Sequence, residues 1–120
     1  MNWVDEALEQ FGKHMGIDRL RFNDNGLCGL DMENGSALYL ETKEDHFYIY
    51  FAKTIEYIDD NKLARALSAA HFTNGLRAPL AAGLKDGNKL VFFTWMPLQD
   101  VTPPSMEEAV KWVMSAHEGM

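Results

Sequence analysis

Two Asn-Gly dipeptides constrain the fold of this chain more than any other feature. Asn25-Gly26 and Asn34-Gly35 each interrupt short runs rich in Leu, Phe or Tyr. Asn and Gly tolerate the positive φ angles of tight hairpin turns, so each dipeptide predicts a reversal between antiparallel strands. Asp86-Gly87 is a third such signal, between two later apolar runs. The chain is therefore predicted to build an antiparallel sheet from consecutive hairpins.

Alternating apolar and polar residues around these turns predict the strands of that sheet. Leu20 and Phe22 alternate with polar neighbours, and the run 47–53 alternates Phe and Ile with Tyr, so both faces of that strand are predicted to be covered. Pro79 has no amide donor, so its strand is predicted to lie at an edge or to carry a break. The predicted strands are residues 19–23, 27–32, 37–42, 47–53, 76–84 and 89–96.

Three helices are predicted beside the sheet. An apolar stripe from Val4 to Met15 marks the first, at about residues 3 to 15, and an Ala-rich segment gives a second at about residues 60 to 72. Ser105 and Glu108 form a capping box that opens the last helix. The predicted order is a helix, three or four strands, a helix, a hairpin and a last helix, or α-β-β-β-α-β-β-α if the strand at residues 19–23 is not counted. This order is an α+β fold in a single domain of residues 1–120.

The charge balance argues against nucleic acid and anionic membranes as partners. The chain has 11 basic and 18 acidic side chains, a formal charge of -7, and its Lys and Arg residues are scattered singly. Asp5, Glu6 and Glu9 stand where a secretory signal would need positive charge, and no apolar run approaches the length of a membrane span. A cytoplasmic protein with a cation-rich partner is predicted.

The sequence carries no motif for catalysis, cofactor binding or metal binding. Its four histidines are isolated, Cys28 is the single cysteine, and no phosphate-binding glycine loop or GxSxG is present. The chain is therefore predicted not to be an enzyme and to need no cofactor. A dispersed enzyme site built from Cys28, Asp31 and His71 remains an alternative, and a depressed thiol pKa would favour it.

An apolar surplus is the remaining feature of the sequence. Trp3, Trp95 and Trp112 add to the aromatic strand 47–53, and together with two helix stripes they exceed the needs of one small core. The surplus is predicted to bind a partner or to be buried in a dimer.

The segment ALEQFGKHMGIDRLRFNDNGLCGLDM, from Ala7 to Met32, resembles the class I chaperones of bacterial type III secretion, of the Tir-chaperone type. The resemblance lies in a Phe-Gly helix end, a Gly-Ile step, a Leu-x-Phe strand, an Asn-rich turn and a Leu-Cys pair in that order. The size, the acidity and the order of helices and strands of the whole chain are also similar.

The resemblance implies a twisted antiparallel sheet with three helices, assembled as a homodimer in the cytoplasm of a Gram-negative bacterium. Such chaperones hydrolyse no ATP and contribute to virulence. They hold the N-terminal segment of a secreted effector in extended form, soluble and competent for secretion, and the secretion ATPase is a further implied partner.

Two sets of residues are expected to carry this role. The first set is the effector-binding groove: Phe11, Met15, Leu20, Phe22, Leu30 and Met32. Packing in the core is an equally good interpretation of these six residues. The second set is the dimer interface: Leu63, Leu67, Ala70 and Trp95. A structural or regulatory dimer outside secretion remains an alternative function, because a fold does not determine a function.

Overall fold

The computed structural model describes residues 3–32, 35–54, 80–85 and 89–118. The predicted helix at residues 60 to 72 lies outside these ranges. The observed elements are α1 (Trp3–His14), β1 (Leu27–Asp31), β2 (Ser36–Lys43), β3 (His46–Thr54), β4 (Ala81–Lys85), β5 (Lys89–Pro97), a 3-10 turn (Leu98–Asp100) and α2 (Pro103–Glu118).

The five strands form one antiparallel sheet in the order β1-β2-β3-β5-β4. β1, β2 and β3 follow one another as a meander, whereas β5 and not β4 lies beside β3. β4 is therefore an edge strand, which agrees with the edge position predicted for the strand at residues 76–84, and β1 is the opposite edge. Residues 76–79 of that predicted strand lie outside the described residues. The α+β class and the antiparallel sheet are confirmed.

One face of the sheet is covered by both helices. Leu8 of α1 and Val113 of α2 are fully buried in the same apolar cluster as Phe47, Ile49 and Phe92. Because side chains alternate along a strand, these strand residues share one face, the core face. Burial of this face supplies the main stabilisation of the fold.

The opposite face of the sheet, the outer face, is aromatic. Tyr48 and Tyr50 of β3 pair with Trp95 and Phe93 of β5, and Tyr39 of β2 lies opposite Tyr50. The ring centroids are 6.2 Å apart for Tyr48 and Tyr50, 5.5 Å for Tyr50 and Phe93, and 5.8 Å for Phe93 and Trp95. All five side chains are half-buried. Residues 47–53 therefore do carry two apolar faces, of which only one is fully buried.

The predicted strand at residues 19–23 is wrong. These residues form a loop in which the Asn23 side-chain oxygen accepts hydrogen bonds from the amides of Asn25 and Leu27, at 2.8 and 3.0 Å. Gly26 has a φ of 77° and turns the chain directly into β1. Asn25-Gly26 is a turn, but it joins a loop to a strand and does not join two strands. The reason is that the Asn23 side chain gives the nearby backbone amides a local hydrogen-bond partner.

The predicted start of the last helix is also corrected. Thr102 and Ser105 bond reciprocally: the Ser105 amide donates to the Thr102 hydroxyl at 3.1 Å, and the Thr102 amide donates to the Ser105 hydroxyl at 2.8 Å. The capping box is therefore Thr102–Ser105, and not Ser105–Glu108. Pro103 is the first helical residue, where its fixed φ and missing N–H are both tolerated.

Candidate functional site

The hydrogen bonds that flank β1 show which of its residues bond to β2. Just before β1, the Thr42 amide donates to the Gly26 carbonyl at 2.8 Å, and just after it the Met32 amide donates to the Ser36 carbonyl at 2.8 Å. Hydrogen-bonded pairs recur at every second residue of an antiparallel ladder. The even-numbered residues from 26 to 32 are therefore the ones that bond to β2.

The odd-numbered residues of β1 direct their amides and carbonyls away from β2. Those of Leu27 are satisfied by Asn23, whose backbone amide donates to the Leu27 carbonyl at 2.8 Å. Gly29 and Asp31 also face outward, and no strand within the described residues pairs with that side of β1. β1 therefore presents a short free edge, the open edge, at residues 29–31.

Half-buried apolar side chains lie on the core-face side of the open edge. Leu30 and Met32 belong to that face by alternation, and Phe22 packs edge-on against the core residue Phe47 with ring centroids 6.4 Å apart. Ile17 is likewise half-buried against the core. An added strand would place alternate side chains beside these residues.

The six groove residues predicted from the sequence fall into three groups. Phe11 and Leu20 are core residues with exposures of 3% and 7%. Phe22, Leu30 and Met32 are half-buried beside the open edge. Met15 follows α1 and is 38% exposed. Leu20 is buried because the loop at residues 17–22 folds back against α1, which the alternation of Leu20 and Phe22 does not indicate.

The predicted dimer residues are placed only in part. Trp95 lies on the outer face, in contact with Phe93 at a ring-centroid distance of 5.8 Å. Leu63, Leu67 and Ala70 lie outside the described residues.

The alternative enzyme site loses support from two of its members. Burial raises the pKa of the Cys28 thiol, whereas an activated thiol needs a lowered pKa. Cys28 and Asp31 also lie on opposite faces of β1, because they are an even-numbered and an odd-numbered residue of one strand. His71 lies outside the described residues.

The described part of the chain contains no group of three or more His, Cys, Asp or Glu residues placed to hold a metal ion. Neither helix in it has the length and apolar character that crossing a membrane requires.

The pairing of Gly29 with Tyr39 on the outer face was not predicted from the sequence. A Cβ atom at Gly29 would lie 3.3 Å from Cδ1 and Cε1 of the Tyr39 ring, so the ring leans across Gly29 towards the open edge. A glycine inside a predicted strand is itself the available signal, because it marks a close approach.

Next to this pairing lies a cavity on the outer face. Its volume is about 200 Å³, and the residues that line it are Asp31, Met32, Gly35, Ser36, Ala37, Tyr39, Ala52, Thr54 and Lys89. Asp31 and Tyr39 therefore belong both to the surroundings of the open edge and to the wall of this cavity.

Glu41 and Tyr50 carry the main electrostatic feature of the outer face. The Tyr50 hydroxyl donates a hydrogen bond to Glu41 Oε1 at 3.0 Å. Burial, together with the Glu41 carboxylate, raises the pKa of Tyr50 to about 12. Tyr50 is therefore a neutral donor at physiological pH.

Known proteins match the chain over nearly its whole length. The model of the Type III secretory system chaperone SycN family matches residues 3–120. A Tir chaperone from Citrobacter freundii is 24% identical over 115 residues, which cover 94% of this chain and 74% of that protein.

Two solved complexes show the same fold. The ExsC-ExsE complex contains a chain that aligns with a TM-score of 0.76 at 12% identity, covering 93% of this chain and 86% of the other. The HopA1-SchA chaperone-effector complex contains one with a TM-score of 0.74 at 17% identity, covering 98% and 91%.

Proposed function

The chain belongs to the Type III secretory system chaperone SycN family, and we propose that it holds the N-terminal segment of a secreted effector as a strand added to the open edge. The observation that carries this proposal is the outward-facing backbone of Gly29 and Asp31 beside half-buried apolar side chains. The segment would obtain main-chain hydrogen bonds from β1 and specificity from alternate side chains.

The apolar side of the added strand would contact Phe22, Leu30 and Met32, with Met15 farther along the groove. These four residues retain exposed surface in the structure, so a guest can bury it without unfolding the chaperone. Phe11 and Leu20 support the groove from beneath, because they already belong to the core.

Ordering an extended guest costs several kcal/mol, so a single short edge is insufficient. A homodimer offers two open edges to one guest and enlarges the wrapped surface. We propose that the dimer forms through Trp95 on the outer face together with Leu63, Leu67 and Ala70.

The chain is proposed to be a binding protein and not an enzyme, and its membership of a chaperone family supports this. We propose that it acts in the cytoplasm as one domain of residues 1–120 and without a cofactor. Delivery of the guest to the secretion ATPase is part of the same proposal.

The test is affinity capture from the native host, followed by limited proteolysis and mass spectrometry of what is retained. We expect a protected segment of about 50–100 residues from near the N-terminus of a larger protein, as coupled ordering over a large interface requires. Capture of a folded protein with no protected segment would favour the regulatory-dimer alternative.

Two variants locate the binding site. Phe22→Asp is expected to abolish guest capture and to leave a folded dimer; loss of the circular-dichroism signal would instead assign Phe22 to the core. Asp31→Pro removes one outward amide from the open edge, whereas Asp31→Ala removes the carboxylate and retains the amide. Guest capture that survives in Asp31→Pro would contradict strand addition at β1.

A further inference from the structure

We propose that the guest strand carries an arginine opposite Gly29, with its guanidinium against the Tyr39 ring and between the carboxylates of Asp31 and Glu41. This inference rests on strand addition at the open edge, and it specifies the chemistry of the guest on the outer face.

Gly29 places no side chain on the outer face of β1. Tyr39 is the cross-strand partner of Gly29, and its ring lies over that glycine, only 3.3 Å from the position of a Cβ atom. A guest residue opposite Gly29 lies about 4.8 Å farther out and projects to the same face. Since no β1 side chain intervenes, the guest side chain meets the Tyr39 ring directly.

Two carboxylates lie near the Tyr39 ring. Asp31 lies two residues beyond Gly29 on β1, and Glu41 lies two residues beyond Tyr39 on β2. The register runs antiparallel, so the two carboxylates flank the Gly29–Tyr39 pair at opposite ends. Both share the outer face with Tyr39, and Asp31 is exposed.

The lysines that the sheet places on the outer face lie farther from the Gly29–Tyr39 pair than these two carboxylates do. Lys43 follows Glu41 at the far end of β2, where it pairs with His46. Lys89 lines the cavity beyond Asp31, but it belongs to β5, which lies three strands away from β1. The whole chain also carries a formal charge of -7. Two carboxylates therefore lie on the outer face within two residues of the Gly29–Tyr39 pair, and Arg19 and Arg21 lie in the exposed loop that precedes β1.

Arginine fits these surroundings better than the other side chains. Its guanidinium stacks on aromatic rings and donates to carboxylates in a planar, often bidentate arrangement. A glutamate would be repelled at this position, and an aliphatic side chain would offer neither carboxylate a hydrogen-bond donor or a positive charge. On the core-face side the same guest strand meets Leu30 and Met32, so its alternate residues are apolar.

The test uses three synthetic peptides, labelled for fluorescence anisotropy, with Val at alternate positions. The intervening positions carry Arg, citrulline or Glu. Citrulline has the size and shape of arginine without its charge. Burial of the Val side chains beside Leu30 and Met32 fixes which peptide residues face the core side. The variable residues between them therefore project to the outer face.

We expect wild-type protein to bind the Arg peptide about 5–10-fold more tightly than the citrulline peptide, and the Glu peptide most weakly. Asp31→Asn and Glu41→Gln should each reduce this preference, and the double variant should abolish it. Neither substitution changes a core residue, so the variants test charge without testing folding.

A matched pair of glycine variants tests the role of Gly29. Gly29→Val fills the space that the arginine would cross, and is expected to remove the Arg preference. Gly83→Val makes the same change in the opposite edge strand, where an added Cβ meets no atom within 4 Å, and should leave the preference intact.

The outcomes separate this inference from the proposed function. Equal binding of the Arg and citrulline peptides, with both lost in Asp31→Pro, would overturn the inference and leave strand addition standing. Failure of all three peptides to bind, or binding that Asp31→Pro does not affect, would overturn strand addition and the arginine position together.

Discussion

The two faces of the sheet are built from the same strands but differ in what they contain and in how completely they are buried. Phe92 is fully buried under the helices, whereas its neighbour Phe93 is half-buried on the outer face. The same alternation operates in β1, where Leu30 faces the core and Gly29 faces outward. Consecutive residues of one strand therefore have different roles: one side chain is buried and stabilises the fold, and the next is available to a partner.

The largest expected effect tests this difference at Phe92 and Phe93. Phe92→Ala should reduce the free energy of unfolding by about 3–5 kcal/mol, because it leaves a cavity in the core. Phe93→Ala should cost about 1–2 kcal/mol, because part of its side chain is already in water. Urea denaturation measures both values, and equal losses would show that the two faces are equivalently buried.

Alkaline pH should destabilise the outer face through Tyr50. Its pKa is about 12 in the folded protein and about 10 in an unfolded chain, so folding favours the protonated phenol. The resulting stability is complete below pH 10 and is lost as the pH rises towards 12. After discounting for solvent screening we expect a loss of about 1–2 kcal/mol.

Denaturation at a series of pH values measures this loss, and Tyr50→Phe is the control that should remove this part of the pH dependence. Glu41→Gln should lower the pKa of Tyr50 only part of the way to its ordinary value, because burial is the largest cause of the raised pKa. An unchanged pH dependence in Tyr50→Phe would assign the alkaline transition to other groups.

The capping box of α2 tests a site that belongs to neither face. Thr102→Ala removes the hydroxyl that accepts the Ser105 amide, and should cost about 1 kcal/mol. Glu108→Ala should cost less, because the box does not include Glu108. Thermal denaturation of the two variants checks this order, and the reverse order would restore the box predicted from the sequence.

The smallest expected change in stability belongs to Met15. Because its side chain is exposed, Met15→Ser should alter the free energy of unfolding by less than about 0.5 kcal/mol. It should nevertheless weaken guest binding several-fold if the groove reaches the end of α1. Leu84→Ser is the control, since Leu84 is 46% exposed on the opposite edge strand. Equal effects of the two variants on guest binding would remove Met15 from the groove.

The strands at residues 27–32, 37–42, 47–53 and 89–96 were predictable because each is buried on the core face and so alternates in sequence. The region at residues 19–23 alternates in the same way, yet Asn23 diverts it into a loop by bonding to Leu27. The apolar periodicity of a sequence indicates which side chains are buried. It does not indicate which group forms hydrogen bonds with the backbone.

The candidate site was predictable only as a set of apolar residues. Phe22 and Met32 lie beside the open edge, whereas Phe11 and Leu20 lie in the core. The sequence does not distinguish the two pairs, because each of these residues belongs to an apolar periodic pattern. Their separation depends on the fold of the loop at residues 17–22, which is a tertiary property. The open edge itself depends on strand order, and no local pattern encodes it.

The most direct test of strand addition is amide hydrogen exchange of β1, resolved by residue, with and without the captured guest segment. In the free protein the amides of Cys28 and Leu30 should be protected by β2, and those of Gly29 and Asp31 should exchange rapidly. Binding should protect Gly29 and Asp31 and leave the even-numbered amides little changed. Rapid exchange of Gly29 and Asp31 in the complex would contradict the account, because the guest would then be held elsewhere.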